Sequence, residues 1–124
     1  MSWLKRNNKS SGACAEDLAL KHLKQQGLQL LARNYAGPRG EIDLIMSDGD
    51  ALVFIEVRLR RNRQFTSAAE SVNSAKQARL WATAQHYLQQ ENLVDKVPCR
   101  FDVVALNSLE ANTSIEWISN AFHF

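Results

Sequence analysis

Little in this chain of 124 residues would staple or anchor it. It has two cysteines, Cys14 and Cys99, and neither has a second Cys or a His at zinc-ligand spacing. Both read as small core residues of a protein kept in a reducing compartment. No apolar run approaches the roughly 20 residues that a membrane-spanning helix needs, and the start, MSWLKRNNKS, lacks the apolar stretch of a secretory signal. The expected location is therefore the cytoplasm, with no membrane partner. Repeats, low-complexity tracts and signs of a second domain are also missing. Excess charge is scarce too. Fifteen Lys and Arg stand against thirteen Asp and Glu, leaving +2, so bulk charge permits a nucleic-acid partner without requiring one.

What the chain does have is patterning. Residues 1–11 are polar and basic and read as a flexible tail ahead of one domain, 12–124. Ser10 or Ser11 can cap a helix that runs to about Gln26, with Gly27 as its stop. Ala15, Ala19, Leu20 and Leu23 form its apolar face. Glu16 falls in the middle of that face, while Asp17, Lys21 and Lys24 lie opposite. Leu28 to Tyr35 reads as a first strand, and Gly37-Pro38-Arg39-Gly40 as a loop. Glu41 to Met46 then alternates, with Ile42 and Leu44 on one face and Glu41, Asp43 and Ile45 on the other. Ser47-Asp48-Gly49-Asp50 carries the Asp-Gly pair of a tight hairpin.

Ala51 to Arg58 is apolar on both faces, as a buried central strand is. Thr66 to about Gln90 reads mostly as helix, with Val72, Leu80, Thr83 and Tyr87 on one face and Lys76 among them. Arg100 to Leu106 is a further strand, and Ile115 to Ile118 a candidate last edge strand. The order α-β-β-β-α-β implies an α/β fold, with a mixed central sheet flanked by helices.

Carboxylates inside apolar strands are costly unless something pairs with them. A two-residue turn at Asp48-Gly49 sets Ser47 against Asp50 and Asp43 against Phe54, with Glu56 the diagonal neighbour of Asp43 on the same face. Arg58, two residues beyond Glu56, shares that face. A one-residue bulge would undo the argument. A divalent cation is one partner for such a pair, and hard ions such as Mg²⁺ or Mn²⁺ take carboxylate oxygens and keep several waters. An ion held this way can polarise a phosphodiester and lower the pKa of a bound water. The bland alternatives are a Glu56–Arg58 or Glu56–Arg60 ion pair, a strand-end Asp43 bonded to backbone, and Glu16 as a carboxylate at the edge of the core.

Arg58, Arg60, Arg61 and Arg63 fall close together. Such a run is commonly a solvated loop, but here it leaves the proposed strand where it can meet phosphates flanking the site. His22, His86 and His123 have no motif-like spacing. Trp81 and Trp117 suit packing or self-association as a homodimer better than stacking on bases, and Trp3 lies in the tail.

These residues carry a resemblance. AEDLA in the first helix, GEIDLI and VFIEVRLR in the second and third strands, Lys76/Arg79/Leu80 in the second helix and RFDVVA in the fourth strand together resemble the YraN-like family of small bacterial proteins. Through it the chain is similar to the PD-(D/E)xK nuclease superfamily, which includes archaeal-type Holliday-junction resolvases. The resemblance covers nearly the whole chain and implies a restriction-endonuclease-like core. It implies Glu16, Asp43 and Glu56 as metal ligands for Mg²⁺ or Mn²⁺, and it places Arg58 where the superfamily signature has Lys. Arginine stays protonated and is no general base, though its fork can bind phosphate. Lys76 is the alternative cation.

The expected catalytic set is thus Glu16, Asp43, Glu56, Arg58 and Lys76. The expected nucleic-acid contacts are Arg58, Arg60, Arg61 and Arg63, with DNA, branched or otherwise structured, as the partner. The other two readings are an inactive nuclease-fold protein that binds nucleic acid or a protein, and a structural interaction module.

Overall fold

The computed structural model of the chain describes residues 10–60 and 72–123. Helix α1 (Ser11–Gln25) starts where the sequence supplies a cap: Ser10 is extended, and its Oγ accepts from the Ala13 N–H at 3.1 Å. Strands β1 (Gln29–Gly37), β2 (Gly40–Asp48) and β3 (Ala51–Leu59) follow, then helix α2 (Ser74–Gln90), β4 (Cys99–Leu106) and β5 (Ile115–Phe122). The five strands form one mixed sheet in the order β1-β2-β3-β4-β5. All neighbours are antiparallel except β3 and β4, which are parallel and joined by the crossover that carries α2.

The two helices cover opposite faces. Ala15, Ala19 and Leu23 of α1 pack on Leu44, Met46, Val53 and Ile55. Leu80, Ala84, Tyr87 and Leu88 of α2 pack on Ile42, Ile45 and Phe54. Strand β3 therefore contributes to both cores, which explains its unbroken apolar run. Helix α2 starts later than Thr66: Val72 and Asn73 precede it, and Asn73 Oδ1 caps it by accepting from Lys76 N at 2.9 Å. The stretch from Thr66 to Ser71, like Arg61, Arg63, Trp3 and most of the expected tail, lies outside the described residues.

Several boundaries differ from the expectation. Strand β1 runs on to Gly37, which pairs with Gly40, so the expected four-residue loop is a tight turn at Pro38-Arg39. The last strand extends to Phe122 rather than stopping at Ile118. Cys14 is half-buried, and Cys99, expected in the core, is exposed at the first position of β4. The β2–β3 hairpin pairs Asp48 with Ala51, not Ser47 with Asp50. Its turn residues are Gly49 and Asp50, and Gly49 takes the positive φ (+60°) that the first position of a type II′ turn demands.

Regularity is unevenly distributed. The ladders flanking β3 keep one register throughout. The two outer pairs slip, between Leu30 and Ala32 on β1 and between Phe101 and Val103 on β4 opposite β5. Each outer strand also carries an Asn in the left-handed region, Asn34 (φ 54°) and Asn120 (φ 57°). The alternation expected for β2 breaks opposite Asn34: Ile42 joins Ile45 on the α2 side, whereas Leu44 faces α1.

Candidate metal centre

The site forms where β2 parts from β3. The paired ladder ends at Leu44–Ile55, and beyond it a side chain replaces the backbone partner: Asp43 Oδ2 accepts from Val57 N at 2.8 Å. One more step of that register, past its last pair, would set Asp43 against Glu56 directly rather than diagonally as expected. The change from the expected pairing is an even number of residues, which preserves side-chain parity along the paired part of the ladder.

Glu56 is nearly inaccessible, with 4 % of its surface exposed. Its Oε2 lies 3.3 Å from Arg58 Nη1 and 3.5 Å from Lys76 Nζ. Its Oε1 is buried and has no hydrogen-bond partner among the described residues. The Asn73 cap sets Lys76 in the first turn of α2, and its ammonium reaches Glu56. Both Lys76 and Arg58 remain about one-third exposed, which leaves part of each head open to solvent.

Asp43 has its pKa raised to about 7. Burial is the largest cause, followed by the negative charge of Glu56, while the Val57 N–H and the Lys76 charge pull the other way. A hydrogen bond to Glu56 that only the protonated carboxyl can donate adds to the rise. Glu16, on α1, is pushed upward for the same two reasons, burial first and then the charge of Asp43. Its carboxylate is engaged elsewhere, however. Arg33 Nε donates to Glu16 Oε1 at 3.3 Å, and Arg33 Nη2 reaches Asp17 Oδ1 at 2.7 Å and the Ala13 carbonyl at 3.2 Å.

The structure thus brings Asp43, Glu56, Arg58 and Lys76 together and sets Glu16 on the margin, held by Arg33. Among the described residues, no three His, Cys, Asp or Glu side chains gather into a group that could hold an ion between them. Arg60 is directed away from the carboxyl pair: its Nη2 binds Glu116 Oε1 of β5 at 3.1 Å, and its side chain is largely buried.

Two participants escaped sequence reasoning. Arg33 answers the oddity of Glu16 in an apolar helix face, but the contact spans two elements and leaves no local spacing to read. Asp102 is completely buried and takes Arg100 Nε at 3.1 Å, Trp117 Nε1 at 2.9 Å and Asn120 N at 2.8 Å. The alternation Arg100-x-Asp102 on one strand face was its available signal. The indole bond makes Trp117 a packing residue, whereas Trp81 is exposed. His86, without a motif, accepts or donates a 2.6 Å bond with Tyr35 Oη.

The molecule is an α/β protein, a five-stranded mixed sheet between two helices, with a carboxyl pair where two central strands separate. Residues 15–106 match the family described as uncharacterised protein family UPF0102, and the chain belongs to that YraN-like bacterial family. It is 50 % identical over 115 residues to a UPF0102 protein of Nitrosococcus oceani, covering 93 % of each chain. It is 47 % identical over 117 residues to one of Pseudomonas fluorescens, covering 94 % of this chain and 96 % of the relative. It is also 44 % identical over 120 residues to one of Pseudomonas aeruginosa, covering 95 % and 96 %. Among the described residues, no helix is long and apolar enough to cross a membrane.

Proposed function

We propose that the protein is a metal-dependent endonuclease, or a nuclease-like DNA-binding protein, acting on structured or branched DNA. The observation that carries this reading is the Asp43–Glu56 pair: a half-buried and a buried carboxyl close enough that the charge of one raises the pKa of the other, with Glu56 Oε1 lacking a hydrogen-bond partner among the described residues. The strand order and the α2 crossover agree with the restriction-endonuclease-like core that the resemblance implies. Paired hard oxygen donors fit Mg²⁺ or Mn²⁺, which are commonly held by one or two carboxylates and completed by water. Asp43 and Glu56 would hold the ion, with Glu16 beside them. Bound there, the ion supplies Lewis acidity toward a phosphoryl oxygen and a lower pKa for its water.

The chain's own groups do the rest. Lys76 neutralises part of the carboxyl charge and offers donors to a phosphate oxygen. Arg58 binds phosphate through its fork and stabilises charge that develops there. It does not take a proton from water. That substitution favours a second reading, a nuclease fold that binds without cleaving.

Titrating Mn²⁺ calorimetrically and by thermal melting into wild type, Asp43→Asn and Glu56→Gln tests the site. The wild-type melting temperature is expected to rise at millimolar Mn²⁺, and both variants are expected to lose the response. No wild-type response, or the same response in all three, eliminates the site and leaves the structural-module reading, with Glu56 satisfied by Lys76 and Arg58. Arg58→Lys is expected to cleave branched DNA at least as fast as wild type. If both bind Mn²⁺ and DNA and neither cleaves, the inactive-binder reading replaces the enzyme.

A further inference from the structure

The described arginines divide into two groups. Arg33, Arg58, Arg60 and Arg100 each hold a carboxylate within 3.3 Å. Arg39 and Arg79 hold none among the described residues, and both are exposed. These two are also neighbours. Arg39 sits in the tight turn between Gly37 and Gly40, and that turn lies directly against α2. A Cβ on Gly40 would stand 3.6 Å from the Cβ of Arg79 and 3.5 Å from Thr83 Oγ1. One on Gly37 would stand 3.4 Å from Thr83 Cγ2. The turn therefore lies within ordinary van der Waals reach of the helix, close to where the helix carries its own arginine.

The surroundings keep this corner positive. Helix α2, SAKQARLWATAQHYLQQ, has no acidic residue. Glu41, the nearest acid on the hairpin, alternates to the face of β2 opposite Ile42, which packs toward α2. Lys76 lies one helical turn before Arg79, already at Glu56. The step from Lys76 to Arg79 is about 4.5 Å along the axis.

We propose that Arg39 and Arg79 form a phosphate-binding shelf along which a nucleic-acid strand reaches the carboxyl pair. The inference rests on the nucleic-acid reading above and adds the surface. It moves the expected contact away from Arg60, whose guanidinium is committed to Glu116. A guanidinium without a carboxylate partner keeps its whole fork for phosphate oxygens, so the shelf binds without first breaking an ion pair among the described residues.

Fluorescence anisotropy over a KCl series, with a single-stranded oligonucleotide, its duplex and a four-way junction, tests this in Arg39→Ala/Arg79→Ala. The control is Lys21→Ala/Lys24→Ala, which removes the same charge from exposed positions on α1, across the sheet. The shelf variant is expected to bind about tenfold more weakly at low salt, and to lose roughly 1.4 (single strand) to 1.8 (duplex) from the slope of log K against log salt. Its Mn²⁺-induced melting shift should equal the wild-type value. Wild-type slope and affinity in the shelf variant, or an equal loss in the control, overturns the shelf.

If the double variant melts low, the turn substitution Arg39→Ala alone is expected to show about half the change in slope, and no change overturns the proposal. Wild type that takes Mn²⁺ but binds none of the three probes overturns the shelf and leaves the metal site standing. Shelf-dependent binding without any Mn²⁺ response supports the shelf and removes the metal site.

Discussion

Asp43 and Asp102 each catch a backbone N–H where a strand ladder breaks, that of Val57 and that of Asn120, both at 2.8 Å. The company they keep differs. Asp102 fills its remaining capacity with the Arg100 guanidinium and the Trp117 indole. Asp43 faces another carboxylate, and its pKa rises to about 7. Side by side they show that burial of an acid is no mark of function. What sets the Asp43–Glu56 site apart is like charge at close range together with a Glu56 oxygen that has no hydrogen-bond partner among the described residues.

The largest effect is expected from breaking the satisfied member of the pair. Asp102→Ala removes the shared acceptor of three partly exposed donors and should cost about 2–3 kcal/mol, a fall of several degrees in melting temperature for a domain of this size. A loss below about 1 kcal/mol would show that the network contributes little.

The unsatisfied member should behave the other way. The carboxyl of Asp43 titrates near 7 in the folded chain and near 3.9 in the unfolded one. Between those values the folded state keeps a proton that the unfolded state has lost. The stabilisation is therefore fully present below about pH 4 and declines as pH rises to about 7. Asp43→Asn keeps an acceptor for the Val57 N–H and removes the repulsion, so it should flatten that slope. In metal-free buffer at pH 8 it should be more stable than wild type by about 1–2 kcal/mol. Thermal melts of both proteins from pH 4 to 8 check this, and parallel curves would refute it. Mn²⁺ affinity of the wild type should climb over the same range, because the ligand must be ionised.

Glu16 stands between the two, with one strong cationic partner. Its pairing with Arg33 is partly exposed, so Arg33→Gln should cost only about 0.5–1 kcal/mol. It should also move the Glu16 carboxyl further upward, because a cation that lowers its pKa is gone. A carbon-13 NMR titration of the Glu side chains reads that shift, and an unmoved Glu16 would mean Arg33 does not hold it.

Local periodicity explains how much of this was legible. The Ser10 cap, the apolar face of α1 with Glu16 set in it, and the two-sided β3 follow from spacing alone. The meeting of Asp43 and Glu56 was read through the wrong turn. Both Asp48-Gly49 and Gly49-Asp50 are credible hairpin centres, and choosing between them shifts partners by an even number, which preserves faces. The switch of Ile42 to the α2 side was not legible, because it coincides with the left-handed Asn34 on the neighbouring strand. Nor were the partners of Arg33 and Arg60, since Glu16 and Glu116 reach them only through tertiary pairing. The arginine run looked like one patch in sequence. In the fold Arg58 and Arg60 turn to different carboxylates, and the arginines without a carboxylate partner among the described residues come from a turn and a helix.

The slips and left-handed asparagines of the outer strands have one more consequence. An open five-stranded sheet has two free edges, and a flat edge is a template on which further chains can stack without limit. Here both edges are bent out of true: β1 by its extra residue at Leu31 and by Asn34, β5 by the bulge that Asp102 pins at Asn120. A kinked edge offers an incoming strand a broken row of donors and acceptors. The irregularities beside Asp43 and under Asp102 thus also make both outer strands poor templates for pairing with another chain.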